Sequence, residues 1–213
     1  MRQRARIPAA ALLAASAMLL AACGGESEPS PKGIEGAKKG GSETPSASPS
    51  APAGRPSVEL PDDLEMNFAW GGTGKPAENA VYRDAEQFFR GMKRASARND
   101  LKDPAYLFYS KSGGTKYAAT QIGLNIKENL APTGKDRYFD GKVAIEGGTA
   151  GLVTCRDQSK VFSKNKKTNK VYRNAPDPKT SYSRYTLRLE KSSKGVWKVS
   201  YVYVTEGVKE CMP

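Results

Sequence analysis

Histidine is absent from all 213 residues. That removes the commonest general base at neutral pH and the commonest nitrogen ligand for a metal. Cysteine is scarce, present only as Cys23, Cys155 and Cys211. Thiols so far apart, with no imidazole to join them, do not make the four ligands of a structural zinc site. No metal and no other cofactor is expected. Acidic side chains are in the minority, 22 against 34 Lys and Arg, for a formal net charge of +12. The N-terminal apolar run, Ile7 to Leu20, is 14 residues, short of the roughly 20 that a membrane-spanning helix needs.

What the N-terminus does have is a leader. Arg2, Arg4 and Arg6 precede the apolar run, which closes on Leu20-Ala21-Ala22-Cys23. An aliphatic residue, two small residues and a cysteine are the pattern cut by a lipoprotein leader peptidase after the thiol receives a diacylglyceryl group. The competing reading is an ordinary secretory leader with an incidental cysteine. No Arg-Arg pair is present, which favours general secretion over the twin-arginine route. Acyl chains on Cys23, palmitate among them, would hold the protein at the outer face of the cell membrane, each buried methylene contributing about 0.8 kcal/mol. Residues 1–22 are therefore expected to be a signal peptide.

Residues 23–57 are mostly Gly, Ser, Pro, Ala and Glu, with Ile34 the one large aliphatic side chain. Such a stretch cannot offset its ordering entropy and reads as a disordered tether. As a flexible coil it would have an r.m.s. reach of roughly 30–35 Å. The leader carries three positive charges and the tether is balanced, so residues 58–213 keep +9. A domain so charged is attracted to anionic lipid, anionic wall polymer or nucleic acid. The exported address sets nucleic acid aside and leaves the membrane, an envelope protein or an anionic polymer as partners. Cys155 and Cys211, an even pair in an oxidising setting, pair as one disulfide or remain as two buried thiols.

The domain opens with Leu64, Met66, Phe68 and Trp70 in alternation, which suits a short strand or an extended arm. Gly71-Gly72-Thr73-Gly74-Lys75 looks like a phosphate loop but fails as one. Ala69 stands where the first glycine is needed and Pro76 follows the lysine. The stretch reads as a turn with Pro76 opening a helix over 76–97. Val81, Ala85, Phe88, Phe89 and Met92 form its apolar stripe. Asp103-Pro104 reads as a cap and first turn of a short helix through Tyr109, broken by Ser112-Gly113-Gly114. Ala118, Ile122, Ile126 and Leu130 carry a third helix from Thr115, ended by Pro132-Thr133-Gly134. Beyond Lys135 the period becomes 2, predicting strands over 137–146, 149–162, 181–191 and 196–206. The expected fold is α+β, with three N-terminal helices packed on a curved four-stranded antiparallel sheet.

Several stretches carry a resemblance: Phe68-Ala69-Trp70, Asp103-Pro104-Ala105-Tyr106, Thr133-Gly134-Lys135-Asp136-Arg137-Tyr138, Cys155-Arg156-Asp157-Gln158-Ser159-Lys160 and Gly195-Val196-Trp197-Lys198-Val199-Ser200. With this element order, the chain resembles the nuclear-transport-factor-2-like (cystatin-like) cone. More narrowly, it is similar to a group of exported lipoproteins from streptomycetes. The resemblance covers about residues 66–213 and implies a fold rather than a chemistry. The wider superfamily holds isomerases, dehydratases and cyclases as well as non-catalytic modules.

Catalysis in such a cone would need an acid or His dyad, for which Asp84, Asp140, Tyr138, Tyr185 and Tyr201 are the candidates. No pair among them has a spacing that demands a shared site. Asp157 shares a strand face with Cys155 and is expected to pair with a basic neighbour. The segment 160–179 is the most polar, with Lys160, Lys164, Lys166, Lys167, Lys170, Arg173 and Lys179 against Asp177. Residues 165–169 should be the tip of a long hairpin. Its cations suit contact with an anionic surface; a basic edge kept for solubility is the alternative. The expectation is a lipid-anchored, non-catalytic binding domain at the envelope. The alternatives are a small-ligand carrier or a cyclase- or isomerase-like enzyme. An open cone would favour these alternatives, and a cone filled by its own aromatic side chains would favour the binding domain.

Overall fold

The computed structural model describes residues 54–213. The leader, the lipobox and nearly all of the expected tether lie outside the described residues. Strand β1 spans Leu64–Ala69, followed by helices α1 (Pro76–Arg98), α2 (Pro104–Phe108) and α3 (Ser112–Lys127). Strands β2 (Leu130–Glu146), β3 (Thr149–Asn165) and β4 (Val171–Tyr172) come next. A single-turn helix α4 (Pro178–Ser181), strands β5 (Tyr182–Lys191) and β6 (Trp197–Glu206), and a 3₁₀ turn at Lys209–Cys211 close the chain. The sheet order is β1-β2-β3-β5-β6, with β4 on the far end of β3.

The architecture is α+β, with six strands where four were expected. The sheet is mixed, because β1 runs parallel to β2, with Leu64 opposite Gly134 and Ala69 opposite Phe139. All other pairings between the named strands are antiparallel. The local signals explain α1. Pro76 sits at its first position, Asn99 closes it in the left-handed region, and Val81, Ala85, Phe88, Phe89 and Met92 are all buried. They pack with Ala118 and Ile122 of α3 onto Leu152, Tyr185, Leu187, Leu189, Trp197 and Val199 of the sheet.

Two boundaries differ from the sequence reading for identifiable reasons. Helix α3 begins at Ser112, because Gly113 and Gly114 form its first turn rather than a break. A Cβ at Gly114 would lie 2.1 Å from the Val199 carbonyl oxygen, so only glycine lets the helix start this close to β6. The helix stops at Lys127, and Pro132-Thr133-Gly134 belongs to β2. Pro132 lies beyond the end of β1, where β2 is an edge and a missing N–H costs no ladder bond. Gly134, at φ +95°, donates its N–H to the Asp63 carbonyl and leaves room for the Lys160 carbonyl, 2.2 Å from where a Cβ would stand.

On the opposite face of the sheet a second, smaller cluster forms. Cys155 and Cys211 are joined by a disulfide, with Cα atoms 5.3 Å apart. Val208, Phe139 and Tyr182 pack around it. Order starts before the first strand: Arg55 bonds the buried Asp84, and Arg94 donates to the Ser57 carbonyl.

Candidate functional site

The five candidate catalytic side chains are not gathered in one site. Asp84 is fully buried in α1, where it accepts from Arg55 and from the Trp197 backbone N–H at 2.9 Å, with Arg83 at 3.6 Å. It ties the N-terminal arm, α1 and β6 together. Asp140 is exposed at a register shift of β2 and has φ 51°. Tyr201 lies on the outer face of the sheet, 55 % exposed. Only Tyr138 and Tyr185 come together inside the cone, with ring centroids 6.0 Å apart.

Around them is a charged cluster whose members no acid-pair spacing in the sequence marks. Arg156 on β3 donates from Nε and Nη2 to the two oxygens of Asp136 on β2, both at 2.7 Å. Lys93 on α1 stands 3.2 Å from the same carboxylate. The Tyr185 hydroxyl accepts from Arg156 Nη1 at 3.1 Å and from the Tyr117 hydroxyl at 3.2 Å. A signal existed in the alternation. Asp136 is in phase with inward Tyr138, and Arg156 with inward Leu152 and Thr154, so both charges had to point inward.

The electrostatics of this cluster are one-sided. Burial alone would push the Asp136 carboxyl up, but Arg156 and then Lys93 outweigh it and hold it below the usual carboxylate range. Burial, reinforced by repulsion from Arg156, pushes the Lys93 ammonium down to about 8, although Asp136 draws it back. Burial raises the Tyr117 and Tyr138 phenols well above their ordinary range. A carboxylate with a depressed pKa and both oxygens engaged is a weak base. The Tyr138 hydroxyl has no hydrogen-bond partner among the described residues.

The interior of the cone is occupied by its own rings. Tyr138 stacks with Phe68 at 4.9 Å and with Phe89 at 4.5 Å, and Tyr185 meets Phe89 edge-on at 5.5 Å. The Arg156 guanidinium lies 5.6 Å from the Tyr138 centroid and 5.8 Å from that of Tyr185. Phe68 in turn holds Arg90 at 5.4 Å over its own ring.

Concavities lie at the periphery, one of about 250 Å³ between the N-terminal arm and Arg94, Arg98 and Pro104, others along the sheet. One groove of about 340 Å³ runs over β1, β2 and β3 past Glu65, Asn67, Lys135, Arg137, Asp157 and Lys160. The Asp157 carboxylate accepts from the Ser159 backbone N–H at 2.9 Å rather than from a basic side chain, which corrects the expected pairing. The local turn satisfies it first. A second groove of about 430 Å³ lies between β3 and the chain leading into α4.

The basic segment divides in two. Lys164 is paired with Asp63, and Lys166 Nζ donates to the Ala97 carbonyl at 2.6 Å, so these two fasten the hairpin to the turn before β1 and to the end of α1. Lys160, Lys167, Lys170 and Arg173 are exposed. Lys170 lies 5.5 Å from the Tyr172 ring centre and Arg173 5.3 Å from that of Phe162. Asn165 to Asn169 forms the hairpin tip, held by the Asn169 N–H on the Asn165 carbonyl at 2.8 Å.

No protein-family model matches the chain, and no curated protein matches it. Among solved structures it is similar to a ketosteroid isomerase-like protein from Erwinia carotovora atroseptica, at 17 % identity and a TM-score of 0.40, covering 62 % of this chain and 97 % of that one. A protein of the nuclear-transport-factor-2-like family from Streptomyces avermitilis gives 11 % identity and a TM-score of 0.39, covering 62 % and 98 %. A nuclear-transport-factor-2-like protein from Cytophaga hutchinsonii gives 12 % and 0.38, covering 61 % and 97 %. At these values the likeness carries no argument about chemistry.

Proposed function

We propose that this chain is a lipid-anchored extracytoplasmic protein, held at the outer face of the cell membrane through Cys23, whose globular domain is a non-catalytic interaction module. We place it with the exported streptomycete lipoproteins that its motifs resemble. The observation that carries the reading is the filled interior. Phe68, Phe89, Tyr138 and Tyr185 occupy the space a substrate or carried ligand would need, and Arg156 and Lys93 hold the buried Asp136 carboxylate beside them. The exposed cations Lys160, Lys167, Lys170 and Arg173 support an anionic partner in the envelope.

Nile red, a neutral apolar dye, tests the interior without being drawn to the basic surface. Titrated into the unlipidated Cys23→Ser chain, it should show no saturable one-to-one binding. Stoichiometric, saturable binding that Phe89→Trp abolishes would make the carrier or the cyclase- and isomerase-like reading the correct one.

A further inference from the structure

Strand β3 is longer than the strands that cover it on one side. Its pairing with β5 ends at Asp157, opposite Tyr182. Pairing resumes on that side only at Ser163 and Lys164, opposite Tyr172 and Val171 of β4. On its other side β2 continues past, with Lys160, Val161 and Phe162 opposite Lys135, Gly134 and Thr133. Residues 158–162 therefore border a break inside the sheet.

The chain that could have filled the break does not. Residues 173–181 carry Pro176 and Pro178, which have no N–H to give to a ladder. Asp177 then caps the single turn of α4 by accepting from the Lys179 N–H at 2.9 Å. Among the described residues no backbone–backbone hydrogen bond joins 158–162 to 173–181. Two side-chain contacts cross: Gln158 donates to the Thr180 carbonyl at 2.6 Å, and the Arg173 guanidinium lies 5.3 Å from the Phe162 ring centre. What remains is the groove of about 430 Å³, floored by Val161 and Phe162 and walled by Tyr172, Pro176 and Thr180.

An uncovered strand bordered by apolar side chains is the surface onto which an extended peptide adds by main-chain pairing. Charge selects the peptide. Lys160 lies on the uncovered stretch of β3, Arg173 and Lys179 on the segment that runs past it, and Lys170 just before β4, all exposed. The two acids nearby are turned to local work, Asp157 accepting from the Ser159 N–H and Asp177 from the Lys179 N–H. Such a rim repels the same strand of a second copy and attracts an acidic segment.

We propose that the break in the sheet beside residues 158–162 is a docking slot for an extended, acidic segment of another envelope protein, which adds to β3 as a short strand. The proposal rests on the interaction-module reading above and names the kind of partner and its place.

The test is backbone hydrogen exchange of the full lipidated chain in a non-ionic detergent, with a synthetic peptide alternating Glu and Thr as the probe. The peptide should slow exchange over residues 158–162 by about tenfold or more, the mark of new ladder bonds. The double variant Lys160→Glu, Lys170→Glu should lose that protection and gain it with a peptide alternating Lys and Thr. Binding that leaves 158–162 unprotected would reduce the site to surface attraction and overturn strand addition. So would protection confined to β1 or β6, or equal protection by polyglycerol phosphate, which has no peptide backbone to pair. Absence of binding overturns it as well. None of these failures touches the filled interior, which the dye titration decides separately.

Discussion

At the scale of single residues, Asp136 carries the strictest demand. Its carboxylate balances Arg156 and Lys93, and replacing it leaves two cations buried against apolar rings. Asp136→Asn should cost about 3–5 kcal/mol in urea unfolding, the range for breaking a buried pair from one side. The Tyr138 hydroxyl has no such partner, so Tyr138→Phe should be neutral or stabilise by about 1 kcal/mol. Lys93 sets a pH signature. Its folded pKa is down at about 8, against an unfolded value of 10.5. Between these values the unfolded chain binds the extra proton, so stability should rise with pH. Thermal melts should gain about 3–6 °C from pH 8 to about pH 9.5, and Lys93→Met should remove that gain. Above roughly pH 10 the raised phenols of Tyr82, Tyr106, Tyr109, Tyr117 and Tyr138 reverse the slope, because their unfolded counterparts ionise first. On the acid side Asp136, with its depressed pKa, contributes stability that is lost as pH falls below its unfolded value of 3.8.

At the scale of elements, close approach and covalent closure decide what local patterns leave open. The period of 3.6 over Val81 to Met92, with Pro76 before it, made α1 legible to within one residue. The alternation of Tyr185, Leu187 and Leu189 made β5 equally plain. Gly113-Gly114 misled because two glycines weaken an isolated helix, while here the demand comes from the Val199 carbonyl across the interface. Gly114→Ala should therefore destabilise by about 1–3 kcal/mol by forcing α3 off β6, measurable in the same urea titration. Pro132 and Gly134 misled in the other direction, since neither hints that β1, some 70 residues earlier, will run parallel alongside. The buried cluster was readable only in phase, as Asp136 with Tyr138 and Arg156 with Leu152. No spacing rule joins residues from β2, β3 and α1. The Cys155–Cys211 bridge closes a loop with a sequence separation of 56 and pins the last turn under Tyr182 and Phe139. Reduction, or Cys211→Ser, should cost up to about 4 kcal/mol. Two alkylatable thiols in the native, air-exposed protein would contradict the bridge.

At the scale of the whole molecule, the proposed address and the proposed partner both call on the basic charge of the domain. If Cys23 bears lipid, Cys23→Ser should release the protein to the medium or leave an unprocessed precursor. A Cys23→Ser chain that still fractionates as a processed membrane protein would refute the anchor. Attraction between the domain and an anionic partner should fade as salt shortens the Debye length toward a few Å. The central claim is that this protein works through the basic surface of β3 and its hairpin while its interior serves only structure. Lysine acetylation, compared between the chain in its native membrane and in detergent, tests that claim most directly. Lys160, Lys167 and Lys170 should label several-fold more slowly in the membrane, while Lys102 and Lys142, exposed elsewhere, keep their rates. Equal labelling of Lys160, Lys167 and Lys170 in the two settings would contradict it.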